Sequence, residues 1–257
     1  MRLFRKRRRL VRSQDPTDKP LSISELQANK PALAPVDVST VQERVYQSLR
    51  LALLKGEFLP GEQVSIRGLA QAFGTSPMPV RDALARLVAE RAFEQPSARL
   101  MRVAPYVASE HEECIRIRIQ LEGYATERAC RNATTLNIET LKEHNAQLKE
   151  AMKDDDFEAA LAANHAFHFE LYSTSGYPQL VDMIANLWLR TGPILASAQK
   201  DRELFRRLFN IGHRIHNEAI QGMEAGDIKK VKRAILLDIR STHFSIRHHF
   251  QTLDGQT

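Results

Sequence analysis

Asn164, His168, His216 and Asp238 are the residues of this chain whose types and spacing point most directly to chemistry. Between residues 155 and 174, the positions Phe157, Leu161, Asn164, His168 and Leu171 follow one another at spacings of four, three, four and three. That is the period of one helix face, so Asn164 and His168 share the inward stripe with apolar residues. Phe209, Gly212, His216, Ile220 and Met223 form a second such stripe, and Val231, Ile235, Asp238 and Thr242 a third. Three helices thus turn an amide oxygen, two imidazoles and a carboxylate toward one interior. Groups of this kind are costly to bury unless they are paired or bind a cation. Spacing alone leaves two readings open. One is a divalent-metal site suited to zinc, nickel, iron or manganese; the other is a set of core polar groups satisfied by hydrogen bonds to one another.

Arg118 shares a stripe with Cys114, Leu121 and Ala125, which delivers a guanidinium toward the same kind of interior. A buried arginine requires a partner, here Glu122, another internal carboxylate or a bound anion. Beside a metal ion, a small carboxylate such as a hydroxy or sugar acid would chelate the ion and pair with Arg118. Arg190, following "NLWL", and His213, one turn before His216, are further candidate ligand contacts.

The elements that must position these groups occupy the larger part of the chain. From Ser109 onward only helical periodicity is found, interrupted at "NATTLN", "KDDD", "TSGYP", "TGP" and "EAGD". An all-helical bundle of about six or seven helices over 109–250 is expected. A different pattern precedes it. Ser39 or Thr40 caps a helix carrying Val41, Val45, Leu49, Ala52 and Leu53 and ending near Gly56. "SIRGLAQAF" after Ser65 forms a second helix, Gly74 ends it, and a third runs from about Pro77 or Met78 to Arg91, burying Val80, Ala83, Leu84 and Leu87. Two short helices joined by a tight glycine-containing turn are a helix-turn-helix. "AFEQPSARLMRVAPY" then suits two short strands and a turn, a wing. The predicted fold is mainly α: a winged helix-turn-helix over 39–105, three helices plus a short β wing, followed by the helical bundle.

Bulk properties agree with two soluble domains: 257 residues, 43% hydrophobic and 26% charged, without an apolar run of the ~18 residues that cross a bilayer. Cys114 and Cys130, sixteen apart in helical sequence, do not suggest a disulfide framework, and a reducing, cytoplasmic setting is expected. The net charge of +6 is concentrated in "MRLFRKRRRLVR", which holds seven basic and no acidic residues, so the remainder is close to neutral. Residues 1–38, with Pro16, Pro20, Pro31 and Pro35, read as a basic, mostly flexible arm.

In a helix-turn-helix, the start of the second helix faces base edges in the major groove. Thr75, Ser76 and Arg81 occupy that end, Arg67 begins the preceding helix, and Arg99 and Arg102 sit on the wing. These six are the candidate contacts to double-stranded DNA; pattern alone leaves a protein-interaction scaffold as the alternative.

The segment "LLKGEFLPGEQVSIRGLAQAFGTSPMPVRDALARLVAERAFEQP" closely resembles the winged-helix domain of the GntR family of bacterial transcription regulators, above all in "LPGEQVS", "LAQAFGTS" and "PVRDALARL". It departs from the family at Pro77, where arginine is frequent, and at Leu100, where the wing often has glycine. Further on, "RIQLE", "NHAFHFELYSTSGYPQLVDMI" and "HNEAIQGMEAGDIKKVKRAILLDI" resemble the FCD effector domain of the FadR-like branch. The resemblance implies a homodimeric, ligand-responsive regulator of a pseudo-palindromic operator, and in metal-binding members a ligand set of one Asp or Asn and three histidines. Asn164, His168 and His216 fall on three of those positions; the fourth is Asp238, and His243 lies five residues on, about 140° round the helix. A metal-dependent hydrolase is the rival from another class. No glycine-rich phosphate loop or nucleophile arrangement accompanies the cluster, so a non-enzyme is expected.

Overall fold

The computed structural model describes residues 40–97 and 100–254, apart from the side chains of Thr135 and Leu136. The expected arm over 1–38 and the wing residue Arg99 lie outside them.

The amino-terminal unit begins with α1 (Val41–Leu54), whose first free N–H groups are met where the Thr40 hydroxyl accepts from the Glu43 N–H at 3.1 Å. α1 stops at Gly56, whose φ of 70° is readily adopted only without a side chain. β1 (Gln63–Val64) precedes α2 (Ile66–Ala72), capped by the Ser65 hydroxyl on the Gly68 N–H at 2.8 Å. α3 (Pro77–Ala89) follows the turn at Gly74, then β2 (Phe93–Ser97) and β3 (Leu100–Val103). The strands form an antiparallel sheet in the order β1-β3-β2, with Val64 opposite Met101 and Phe93 opposite Val103. The two wing strands are those expected; β1 is an addition, a two-residue pairing too short to show alternation. Val45, Leu49 and Leu53 of α1 pack with Val80, Leu84 and Leu87 of α3 and with Phe93, Met101 and Val103 of the sheet.

The remainder is helical: α4 (Ala108–Asn132), α5 (Thr135–Lys153), α6 (Phe157–Ser173), α7 (Pro178–Ala196), a 3-10 turn (Ser197–Lys200), α8 (Arg202–Glu224) and α9 (Ile228–Asp254). α9 packs against α8 and α4, and α5 against α6 and α8. Among the described residues no helix is long and apolar enough to cross a membrane, and both cysteines are free.

One expected boundary is corrected. "TGP" does not end a helix, because α7 runs through Pro193 to Ala196. Proline removes one N–H from the ladder, but every residue from Thr191 to Ala196 is buried, and the Thr191 hydroxyl donates to the Leu187 and Trp188 carbonyls. Packing decides here. A Cβ on Gly192 would stand 2.3 Å from the Leu53 carbonyl oxygen, so the missing side chain lets α7 lie directly against the end of α1. Leu189 is fully buried in the core of the amino-terminal unit, and Arg50 of α1 donates to Asn186 at 2.8 Å. α7 therefore belongs to both cores.

Candidate functional site

The three inward stripes of α6, α8 and α9 meet. His168, His216 and Asp238 are buried, and their ligand-capable atoms lie within 4.8 Å of one another. His168 Nε2 is 3.3 Å from His216 Nε2 and 3.1 Å from Asp238 Oδ2. Two ligands of a tetrahedral ion bound at ~2.0–2.1 Å stand roughly 3.3 Å apart, so these separations are those of an ion's coordination edge. Gly212 leaves the space between: a Cβ there would be 3.5 Å from Asp238 Oδ1 and 3.8 Å from Asn164 Oδ1. His243 is elsewhere, its ring 5.1 Å from that of His111 and tilted against it. Asp238, not His243, completes the group.

The surrounding hydrogen bonds fix the ring protons. Asn145 of α5 donates its amide to the His213 carbonyl and to Asn217 Oδ1, so its Oδ1 accepts from His216 Nδ1 at 3.2 Å and His213 Nδ1 at 3.1 Å. His216 therefore presents an unprotonated Nε2 to the centre. Tyr172 donates its hydroxyl to Glu122 at 2.5 Å and accepts from His168 Nδ1 at 3.0 Å. Burial and the adjacent Glu122 carboxylate push the Tyr172 hydroxyl well above its ordinary range, so it keeps its proton. His168 is thus also turned with Nε2 as the inward lone pair. Burial holds His216 down at about 3, against the smaller opposing pull of Asp238. Two imidazole lone pairs and a carboxylate converge, and such a set demands a cation, either a shared proton or a metal ion.

Beside this group a small cavity of about 30 Å³ is lined by Arg118, Asn164, His168, Trp188, Asp238 and Thr242, among others. Of the partners its sequence allowed, Arg118 has Glu122. It is buried and paired with Glu122 at 2.5 Å, lies over the Trp188 ring at 4.6 Å, and still borders the cavity. Trp188 also donates to Glu122, at 3.1 Å.

Two expected ligand contacts are not brought to this cavity. Arg190 lines a separate cleft with His111 and Cys114 and faces Glu110 at 3.4 Å. His213 spends both ring nitrogens on Asn145 and Asn217. Asn145, Tyr172 and Trp188 went unmarked in the sequence reading. Asn145 was accessible to it, since Leu141, Asn145 and Leu148 keep the four-three spacing of a buried stripe.

On the amino-terminal unit, Arg67 and Arg81 are exposed and enter no ion pair among the described residues. Thr75 and Ser76 sit at the start of α3, and the Ser76 side chain makes no capping bond. Arg102 is engaged with Glu94 through two bonds of 3.0 and 2.8 Å.

A winged helix-turn-helix joined to a helical bundle with a donor-lined cavity defines a transcription regulator that couples a DNA reader to an effector domain. Residues 41–95 match the gntR family of bacterial regulatory proteins, and residues 113–241 match the FCD domain. The chain belongs to the GntR family of regulators and carries an FCD effector-binding domain; it is not an enzyme. It is 33% identical over 150 residues to the HTH-type transcriptional regulator McbR of Escherichia coli K12, covering 58% of this chain and 68% of that one. The solved structure of E. coli McbR/YncC superposes with a TM-score of 0.74 at 25% identity, over 83% of this chain and all of that one. A GntR regulator from Rhodococcus sp. RHA1 shares the fold, with a TM-score of 0.67 at 18% identity over 82% of this chain and 99% of that one.

Proposed function

We propose that this regulator, of the FadR-like branch, binds a pseudo-palindromic duplex operator as a homodimer and that a small carboxylate held beside a divalent ion controls its affinity for DNA. Residues 39–105 read the operator through Arg67, Thr75, Ser76 and Arg81, with Arg99 and Arg102 on the wing. Residues 109–250 bind effector and the second copy. It acts in the cytoplasm, where the operator is. Asn164, His168, His216 and Asp238 hold the ion, zinc or nickel by their mixed nitrogen and oxygen character. The ion would supply a positive centre for an oxygen of the effector. Arg118, buried and bordering the same cavity, pairs with the effector's carboxylate, and Thr242 adds a hydroxyl. Control requires that effector bind two arrangements of the protein with different affinity.

The observation that carries this reading is the convergence of two imidazole lone pairs, each oriented by an outer hydrogen bond, with a buried carboxylate. Dimerisation is supported by exposed apolar residues seven apart on two helices that pack side by side: Ile117 and Tyr124 on α4, Leu237 and Phe244 on α9. The test is elemental analysis of untagged protein beside the double variant His168→Ala, His216→Ala. Near-stoichiometric metal that disappears in the variant is expected. Protein that takes up no zinc or nickel even on addition would overturn the ion and leave Arg118 as the centre of recognition.

A further inference from the structure

The start of α3 carries a side chain that the polar DNA contacts do not account for. α3 buries Val80, Ala83, Leu84 and Leu87. The opposite stripe, Met78, Arg81, Asp82 and Ala85, is exposed along its length. Met78 heads that stripe and is 63% exposed, more than the other large apolar side chains of the winged helix. An unbranched thioether left in water at this position is a cost without a structural return.

The backbone around it has lost the usual alternative. A helix start ordinarily offers its free N–H groups to a phosphate. Here the first and third positions are Pro77 and Pro79, which have no N–H. Half of the four donors are absent, and the tip Pro77-Met78-Pro79 is apolar. Positive charge lies around the tip rather than on it, at the unpaired and exposed Arg81, one turn further along, and at Arg67 on α2. The second helix of a helix-turn-helix places its first residues against base edges in the major groove. The one apolar feature that a base edge presents there is the C5-methyl group of thymine.

We propose that Met78 reads a thymine methyl group in each half of the operator, so that specificity at that base pair comes from apolar contact instead of a hydrogen bond. This rests on the DNA-reading role of the winged helix. It also gives a physical sense to Pro77, which adds apolar surface and no donor beside Met78, a tip that favours thymine over guanine.

The experiment begins with duplexes selected from a random library by the full-length wild-type protein. Each thymine of the selected operator is then replaced singly by deoxyuridine, which deletes the methyl and keeps every hydrogen-bonding group. Affinities are measured for wild type and for Met78→Ala, whose fold is checked by its thermal transition. At one thymine per half-site the wild type is expected to lose about fourfold in affinity, the worth of one buried methyl, while Met78→Ala binds thymine and deoxyuridine duplexes equally. The proposal is overturned if no thymine position shows this pattern, or if the loss from deoxyuridine is as large in Met78→Ala as in wild type, which would mark Met78 as a surface for another protein. A library that yields no enriched duplex at all would remove the DNA-reading role and this inference with it.

Discussion

Asp238 stands where the family resemblance implies a histidine, and the difference is one of charge more than of reach. Burial by itself would push its carboxyl up, but the contact with the His168 and His216 rings and the charge of the buried Arg118 outweigh it and hold the group below the ordinary carboxylate range. The cluster thus carries a fixed negative charge that an imidazole would not supply. Outer contacts matter as much as the ligands themselves. Tyr172→Phe keeps the ring and deletes the oxygen that accepts from His168 Nδ1; metal affinity, read by competition with a chelator, is expected to fall about 10–100-fold with the fold unchanged. An unaltered affinity would show that this contact does not set the tautomer. Away from the cluster, burial pushes His111 down to about 3, with smaller contributions from His243, Arg118 and Arg190. The unfolded chain takes up a proton near the usual 6.5 and the folded one does not, so stability is full above that value and declines as pH falls toward 3. The slope is about 1.4 kcal/mol per pH unit. Urea unfolding of His111→Phe between pH 6 and 4 should be shallower in its pH dependence by that one proton; equal slopes for variant and wild type would contradict a buried neutral His111.

At the scale of elements, α7 shows where periodicity informs and where it misleads. The stripes of α6, α8 and α9 were legible because each repeats over three or more turns, and they delivered Asn164, His168, His216 and Asp238 to one place. The continuation of α7 through Pro193 was not legible, because a local breaker is read without the burial that overrides it. β1 was missed for a related reason: two residues cannot display a period, and their pairing to β3 is a long-range fact. Arg190 failed as a cavity residue because a spacing fixes a face of a helix but not which of two clefts that face meets. α7 packs on both sides, and its tolerance is correspondingly low. Gly192→Ala places a Cβ 2.3 Å from the Leu53 carbonyl oxygen, a backbone atom that cannot swing aside. A loss of about 1–3 kcal/mol in unfolding free energy is expected, measured by denaturant titration. Wild-type stability in this variant would mean that the α1–α7 contact is looser than it stands.

For the whole molecule, the proposed dimer is the property most open to direct measurement. Leu237 and Phe244 are 48% and 65% exposed on one face of α9, large apolar residues of the kind that mark an interface when they cluster. Leu237→Glu combined with Phe244→Glu should yield a monomer by light scattering at micromolar concentration and weaken binding to a two-half-site duplex far more than to a single half-site. A dimer that survives both changes lies on another face. The two domains were legible from composition and period alone, but their joint was not, since nothing in the chain announces that a residue of one segment completes the core of another. That joint has a consequence for rebuilding such regulators. A chimera cut between the wing and α4 would carry away the DNA reader without the Leu189 that fills its core, and would set whatever side chain the new bundle offers against Leu53. The transferable piece is bounded by a surface, the side of α7 that meets α1, and a successful graft would have to transplant Asn186, Leu189 and Gly192 into the recipient bundle, about 80–90 residues beyond the cut.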